Sequence, residues 1–278
     1  METGFGSAVP EGRAGWSSER VFLGISALLF IASVGGTIYW SRSMSGGMTM
    51  PSDMAMSSGT TVSMLWTKLP EQNWLSAAAL FMAMWVVMMV AMMLPSLVPM
   101  LLSYRRSLPQ SDQTRLGGLT ALAGAGYFFV WAVFGAVAYP LGVAVATAEM
   151  QWMSRARLVP AATGVFVLLA GCLQLTAWKA RQLECCRNMP VLAKSRSPDA
   201  LGAWQYGVRL GVHCCLCCSG FMLILLVTGV MDLGIMAIVA AAITVERLAP
   251  KPERVARAAG VVIVVAGILM IVRALGIA

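Results

Sequence analysis

Apolar residues fill long stretches of this chain and polar ones are confined between them. The apolar runs fall at about 21–40, 74–102, 119–147, 158–178, 204–230, 233–248 and 258–275. An α-helix crosses the hydrocarbon core of a bilayer in roughly 20 residues, so runs of this length predict membrane spans. The pattern predicts an all-α, polytopic helical membrane protein of about seven spans, in contact with the lipid bilayer. The sixth run, 233–248, would measure only about 24 Å as a helix, so it reads as a short span or as a re-entrant segment beside six spans. Residues 1–20 contain no apolar core and read as a cytoplasmic tail without a cleavable signal. Residues 21–278 then form a single helical membrane domain.

Composition agrees, with 59% hydrophobic and 12% charged residues and a mean hydropathy of +0.77. The net charge of +8 changes the picture only through its distribution. With the spans laid out, fourteen Lys and Arg fall on one side and five on the other. Cytoplasmic loops carry the excess of positive charge. This puts the N-terminus in the cytoplasm, most simply across a bacterial inner (plasma) membrane, and gives no reason to invoke nucleic acid.

That orientation makes 41–70 an extracytoplasmic loop. It holds Met44, Met48, Met50, Met54 and Met56 in a Gly- and Ser-rich backbone with too little aliphatic bulk to fold alone. Methionine is abundant, 21 in all, and grouped: six lie between Met44 and Met64, seven between Met82 and Met100. In the second run Met84, Met88 and Met92 form a stripe at helical spacing, with Met82, Met89, Met93 and Met100 beside it. Methionine is an ordinary filler of apolar helices; its concentration here is what suggests a conduit for a soft metal. Pro95 removes one helical hydrogen bond and predicts a kink near Ala91.

The densest chemistry lies in the fifth run, at His213-Cys214-Cys215-Leu216-Cys217-Cys218, which holds four of the seven cysteines and the only histidine. On a helix Cys214, Cys217 and Cys218 share a face, Met222 extends it by one turn, and His213 sits on its flank. Buried cysteine is often just a small hydrophobe. Four within five residues point instead to soft-metal ligation or thiol chemistry, with Cu(I) first and Zn or a thiol redox couple second. Counted by helical rise from the cytoplasmic ends, these thiols and Met88 to Met93 lie at similar depth, about 14–21 Å in. Cys185 and Cys186 fall in the polar stretch after the fourth run, read as a cytoplasmic loop and a weak thiol site. Glu246-Arg247 reads as an interfacial pair, and Tyr127 and Trp131 as packing residues.

Taken together, these stretches resemble a family of metal-binding integral membrane proteins related to the membrane copper-supply proteins of bacterial polyphenol oxidases. The motifs are Trp85…Met88-Met89-Val90-Ala91-Met92-Met93-Leu94-Pro95…Pro99, Gly126-Tyr127…Trp131 and Gln174-Leu175-Thr176…Lys179. They continue as Cys214-Cys215-Leu216-Cys217-Cys218…Met222, Gly229-Val230-Met231 and Glu246. The resemblance covers roughly 75–275 and implies copper handling. It departs in the segment after Gln174-Leu175-Thr176, where Gln182 stands in place of a first cysteine and Cys185 and Cys186 are adjacent.

The expectation is a membrane copper chaperone or transporter that binds Cu(I) and supplies an extracytoplasmic copper enzyme or copper carrier. Cys214, Cys217 and Cys218 would be its central ligands, with Cys215, His213 and Met222 beside them. Met84, Met88, Met89, Met92 and Met93 would form a relay, and Met48, Met50, Met54 and Met56 a capture or release site. A Cys-x-x-Cys at Cys214–Cys217 also admits a thiol-disulfide oxidoreductase, and a cofactor-free assembly subunit is the third reading. No paired carboxylates, activated nucleophile or phosphate loop suggests an enzyme.

Overall fold

A computed structural model describes residues 11–46, 73–108, 113–151, 158–193, 199–228 and 232–275. The methionines at Met48, Met50, Met54 and Met56 lie outside the described residues. The described part is all helix: α1 Glu11–Gly46, α2 Trp74–Ser107, α3 Gln113–Gln151, α4 Leu158–Gln174, α5 Ala177–Ala193, α6 Ala200–Thr228, α7 Leu233–Leu248 and α8 Pro252–Ala274. Five helices, α1, α2, α3, α6 and α8, are long and apolar enough to cross a membrane. A sixth span results if α4 and α5 count as one bent pair. The run expected to be short is α7, of 16 residues.

Helix α6 is the centre, packed on α3, α4, α5 and α7, while α2 packs on α1, α3 and α7. Between helices in lipid, close approach depends on small residues, because lipid tails compete equally for apolar side chains. At the α3–α6 crossing a Cβ on Gly126 would lie 2.7 Å from the Trp204 carbonyl oxygen, and one on Gly207 would strike the Ala123 carbonyl. At the α4–α8 crossing Gly164 and Gly267 face each other in the same way: a Cβ on either would lie 3.1–3.2 Å from the other's carbonyl oxygen. Both contacts bring backbones together without side chains between them.

Helix α2 runs unbroken through Pro95 and Pro99; α4 and α5 meet at a bend of 64°. There Leu175 and Thr176 make tight-turn backbone bonds to Cys172 and Leu173, and the Thr176 hydroxyl accepts from the Lys179 amide at 3.4 Å. Thr176 thus caps a new helix. The stretch expected to be a cytoplasmic loop with Cys185 and Cys186 is therefore helical, and it packs on α6 and α2. Lys179, Leu183 and Cys186 are its buried stripe.

Helix α7 starts at an N-cap, with Asp232 accepting from the Gly234 and Ile235 amides at 2.8 and 3.0 Å. At the other end of the bundle Arg106 pairs with Glu19 at 2.9 Å, and Arg105 bonds Ser18, joining α2 to α1. Arg105, Lys179 and Arg247 are buried, although the sequence places all three among the cytoplasmic charges. Without them the expected seven-span layout has eleven basic residues on the cytoplasmic side against five on the other.

Candidate functional site

The methionine stripe of α2 points inward. Met84, Met88, Met89, Met92, Met93 and Met100 are all buried, and Met82 is half-buried. They belong to the same contiguous core as Cys214, Cys217, Cys218 and Met222 of α6. One edge of this core is set by Trp85, whose indole N–H donates to the Trp131 carbonyl at 2.9 Å. Trp85 fits there because Gly135 leaves room: a Cβ on Gly135 would run into the indole ring. One turn earlier on α3, the Tyr127 hydroxyl and the Cys214 sulfur lie 2.9 Å apart and share a hydrogen bond. Tyr127 and Trp131, taken from sequence as packing residues, thus tie α3 to both sulfur-bearing helices.

The thiols form a chain. Cys214 and Cys218 sulfurs are 3.9 Å apart, and Cys217 lies beside both Cys218 and Cys186 of α5. Cys214, Cys217 and Cys218 are buried on one face of α6, as their helical spacing predicts. Cys186 joins them from a segment read as a loop, while its neighbour Cys185 is exposed. Cys172 is exposed as well, on α4, and Cys215 is half-buried on the flank of the thiol face. His213 is half-buried and turned toward α5, with Nδ1 3.2 Å from Gln182 Oε1. All seven cysteines are free. Counting only His, Cys, Asp and Glu, no three among the described residues converge closely enough to hold an ion.

Around the thiols lies a set of buried polar groups. Lys179 pairs with Glu246 at 2.8 Å, both 2% exposed, and its ammonium also donates to the Cys217 carbonyl at 2.5 Å and lies over the Phe221 ring. Gln174 donates to the other oxygen of Glu246 at 3.2 Å. Glu246 and Arg247 are therefore not an interfacial pair. They diverge into the core, and Arg247 donates to Ser96 of α2 at 3.3 Å and to the Cys186 sulfur at 3.4 Å. Its Nε has no hydrogen-bond partner among the described residues. Ionised groups at membrane depth are costly and persist where they pair or serve a site. Here one pair is matched, Lys179 with Glu246, while the Arg247 guanidinium faces sulfur.

From the sequence Cys186 reads only as part of a weak thiol site in a loop, Lys179 only as a member of a family motif, and Arg247 only as half of an interfacial pair. One signal was present: Lys179, Leu183 and Cys186 share a helical face, and a lysine heading an otherwise apolar stripe is unusual.

A family model described as PpoB2, copper chaperone, matches residues 82–270. The chain matches no curated protein and no solved structure. The matched region contains the buried cysteines, the ion pair, Arg247 and all of the α2 methionines named above: Met82, Met84, Met88, Met89, Met92, Met93 and Met100.

Proposed function

This chain belongs to the PpoB2 family of copper chaperones, and from that premise we propose that it holds Cu(I) on its buried thiols and passes it to an extracytoplasmic copper enzyme or copper carrier. The observation that carries the reading is the Cys214–Cys218 sulfur pair, with Cys217 and Cys186 buried beside it, inside an apolar bundle. With a metal–thiolate bond of about 2.3 Å, two thiolates on one ion stand about 3.8 Å apart at a tetrahedral angle and about 4.6 Å apart when opposite. The 3.9 Å between Cys214 and Cys218 falls within that span. Soft sulfur in a dry setting favours Cu(I) over harder cations. A monovalent ion on two thiolates carries one net negative charge, which the Arg247 guanidinium beside Cys186 offsets.

Met222 is the next sulfur along the same face; Cys215 and His213 stand at its flank in supporting positions. On α2, Met84, Met88, Met89, Met92 and Met93 supply thioethers, which bind without charge and so hold copper less firmly than thiolates. A thiolate-to-thioether gradient permits release toward the outer face. The loop with Met48, Met50, Met54 and Met56 is the corresponding capture or release segment. The carrier sits in a bacterial inner membrane with its N-terminus in the cytoplasm.

The test is the copper content of protein purified under reducing conditions. Cys214→Ser, Cys217→Ser and Cys218→Ser should each lower it, and Cys172→Ser, at an exposed site on α4, should not. Equal losses at all four, or none, sink the assignment. The contact of Cys217 with Cys186 across two helices also gives a thiol oxidoreductase a structural basis. Changing Met88, Met89, Met92 and Met93 together to Leu nearly conserves volume and separates the two. A copper carrier should keep its thiol site loaded and lose delivery to the outer enzyme at limiting copper, while an oxidoreductase should be unaffected.

A further inference from the structure

Helix α7 carries one described methionine, Met236, and it is buried against α2. It lines a cavity of about 10 Å³ whose walls also include Met84 and Met88 of α2 and Thr37 and Trp40 of α1. A space of about 10–15 Å³ admits one water-sized guest, so neither a lipid chain nor an organic ligand fits. A buried water needs two to four polar partners, and this lining offers at most two: no charged side chain is present, the Thr37 hydroxyl gives its proton to the Ser33 carbonyl at 2.8 Å and keeps only acceptor capacity, and Trp40 has a single indole N–H. What the cavity does offer is three thioethers from two helices. Met236 is also part of the wall of a larger apolar cleft between α1, α2 and α7, about 620 Å³, where Met92 joins it. One methionine therefore borders both spaces.

We propose that Met84, Met88 and Met236 form a second, all-thioether Cu(I) site, separate from the thiols and placed between them and the outer face. It deepens the reading given under Proposed function, since it rests on Cu(I) being the cargo, but its ligands are not those of the thiol chain. Charge and size select the guest. Three neutral sulfurs and no carboxylate give a hard divalent ion nothing to replace its hydration shell, whereas a soft monovalent cation takes thioether readily. The register supports the placement. Tyr127 meets Cys214, and Trp131, one turn further out on α3, meets Trp85; Met84 is adjacent to Trp85, so the thioether site lies outward of the thiols by about one turn, or about 5 Å. Copper leaving Cys214 and Cys218 would meet Met89, Met92 and Met93 and then this site.

The experiment titrates the purified full-length protein in detergent with Cu(I) against a chromophoric chelator, under reducing conditions. Ultraviolet charge-transfer absorption reports the thiolate-bound fraction separately. Met236→Leu should lose about one equivalent of bound copper while the thiolate absorption stays at its wild-type amplitude, which also shows that the bundle is intact. In a Cys214→Ser/Cys217→Ser/Cys218→Ser background, X-ray absorption of the residual copper should show sulfur neighbours at thioether distances, lost on adding Met236→Leu. If Met236→Leu leaves the stoichiometry unchanged in both backgrounds, the thioether site is refuted and the thiol site stands. If instead the triple serine variant binds as much copper as wild type, the thiol reading fails and the Met236 comparison still decides the second site. Loss of thiolate absorption in Met236→Leu alone would make Met236 a packing residue and overturn the proposal.

Discussion

Removing one member of the Lys179–Glu246 pair should unfold the core around the thiols, and removing both should not. The two groups are 2.8 Å apart and each 2% exposed. At an effective dielectric of about 20 their attraction is about 6 kcal/mol, most of which offsets the cost of taking both charges out of water. Glu246→Gln leaves the Lys179 ammonium beside the Cys217 carbonyl with no counter-charge, and Lys179→Met leaves the Glu246 carboxylate with only Gln174. Breaking a buried pair on one side costs about 3–5 kcal/mol, a shift of roughly a hundred- to a few-thousand-fold in the folded-to-unfolded ratio. The double variant Lys179→Met/Glu246→Gln removes both charges. It should lose only the remaining hydrogen bonds, about 1 kcal/mol each. A double-mutant cycle in detergent, read by denaturant titration and by the rate at which a thiol reagent reaches Cys217, measures the coupling. Single variants that each cost less than about 1 kcal/mol, or a double variant equal to the sum of the singles, would refute the reasoning and mean that water reaches the pair.

The same substitution at two glycines should have opposite signs. Gly207→Ala places a methyl against the Ala123 backbone, costing about 1–3 kcal/mol and exposing Cys214 to thiol reagents as Tyr127 moves off. Gly118→Ala meets nothing within 4 Å and should gain up to about 1 kcal/mol of helix stability; thermal unfolding of the two variants checks the contrast, and equal effects would mean that α3 and α6 do not cross there. The charge asymmetry of the loops predicts that a cysteine introduced at Ser45 labels from outside the cell and that a reporter fused after Ala278 reads as extracytoplasmic. A cytoplasmic reporter with outside labelling at Ser45 would make α7 re-entrant.

Local periodicity determined a good deal of this protein. Long apolar runs need no partner to be recognised, because the bilayer sets their length; five of the seven runs are single helices long and apolar enough to cross, the run at 158–178 breaks into the bent pair α4–α5, and that at 233–248 is the short α7. The common face of Cys214, Cys217 and Cys218 and the inward stripe of Met84, Met88 and Met92 follow from about 3.6 residues per turn within one helix. What periodicity within a helix does not contain is which other helix that face meets. Cys186 joins Cys217 across 31 residues of sequence, Lys179 reaches Glu246 across 67, and Arg247 reaches Ser96 across 151. Those meetings depend on the bend at Leu175–Thr176 and on glycines that let α3 and α6 touch backbone to backbone. Charged residues at the ends of apolar runs are ambiguous for the same reason. A lysine or an arginine at such a position either reaches back to water or turns into the bundle, and only a partner of opposite charge or a polar cluster at the right depth decides between them. For Lys179 that partner is Glu246, and for Arg247 it is the edge of the thiol chain.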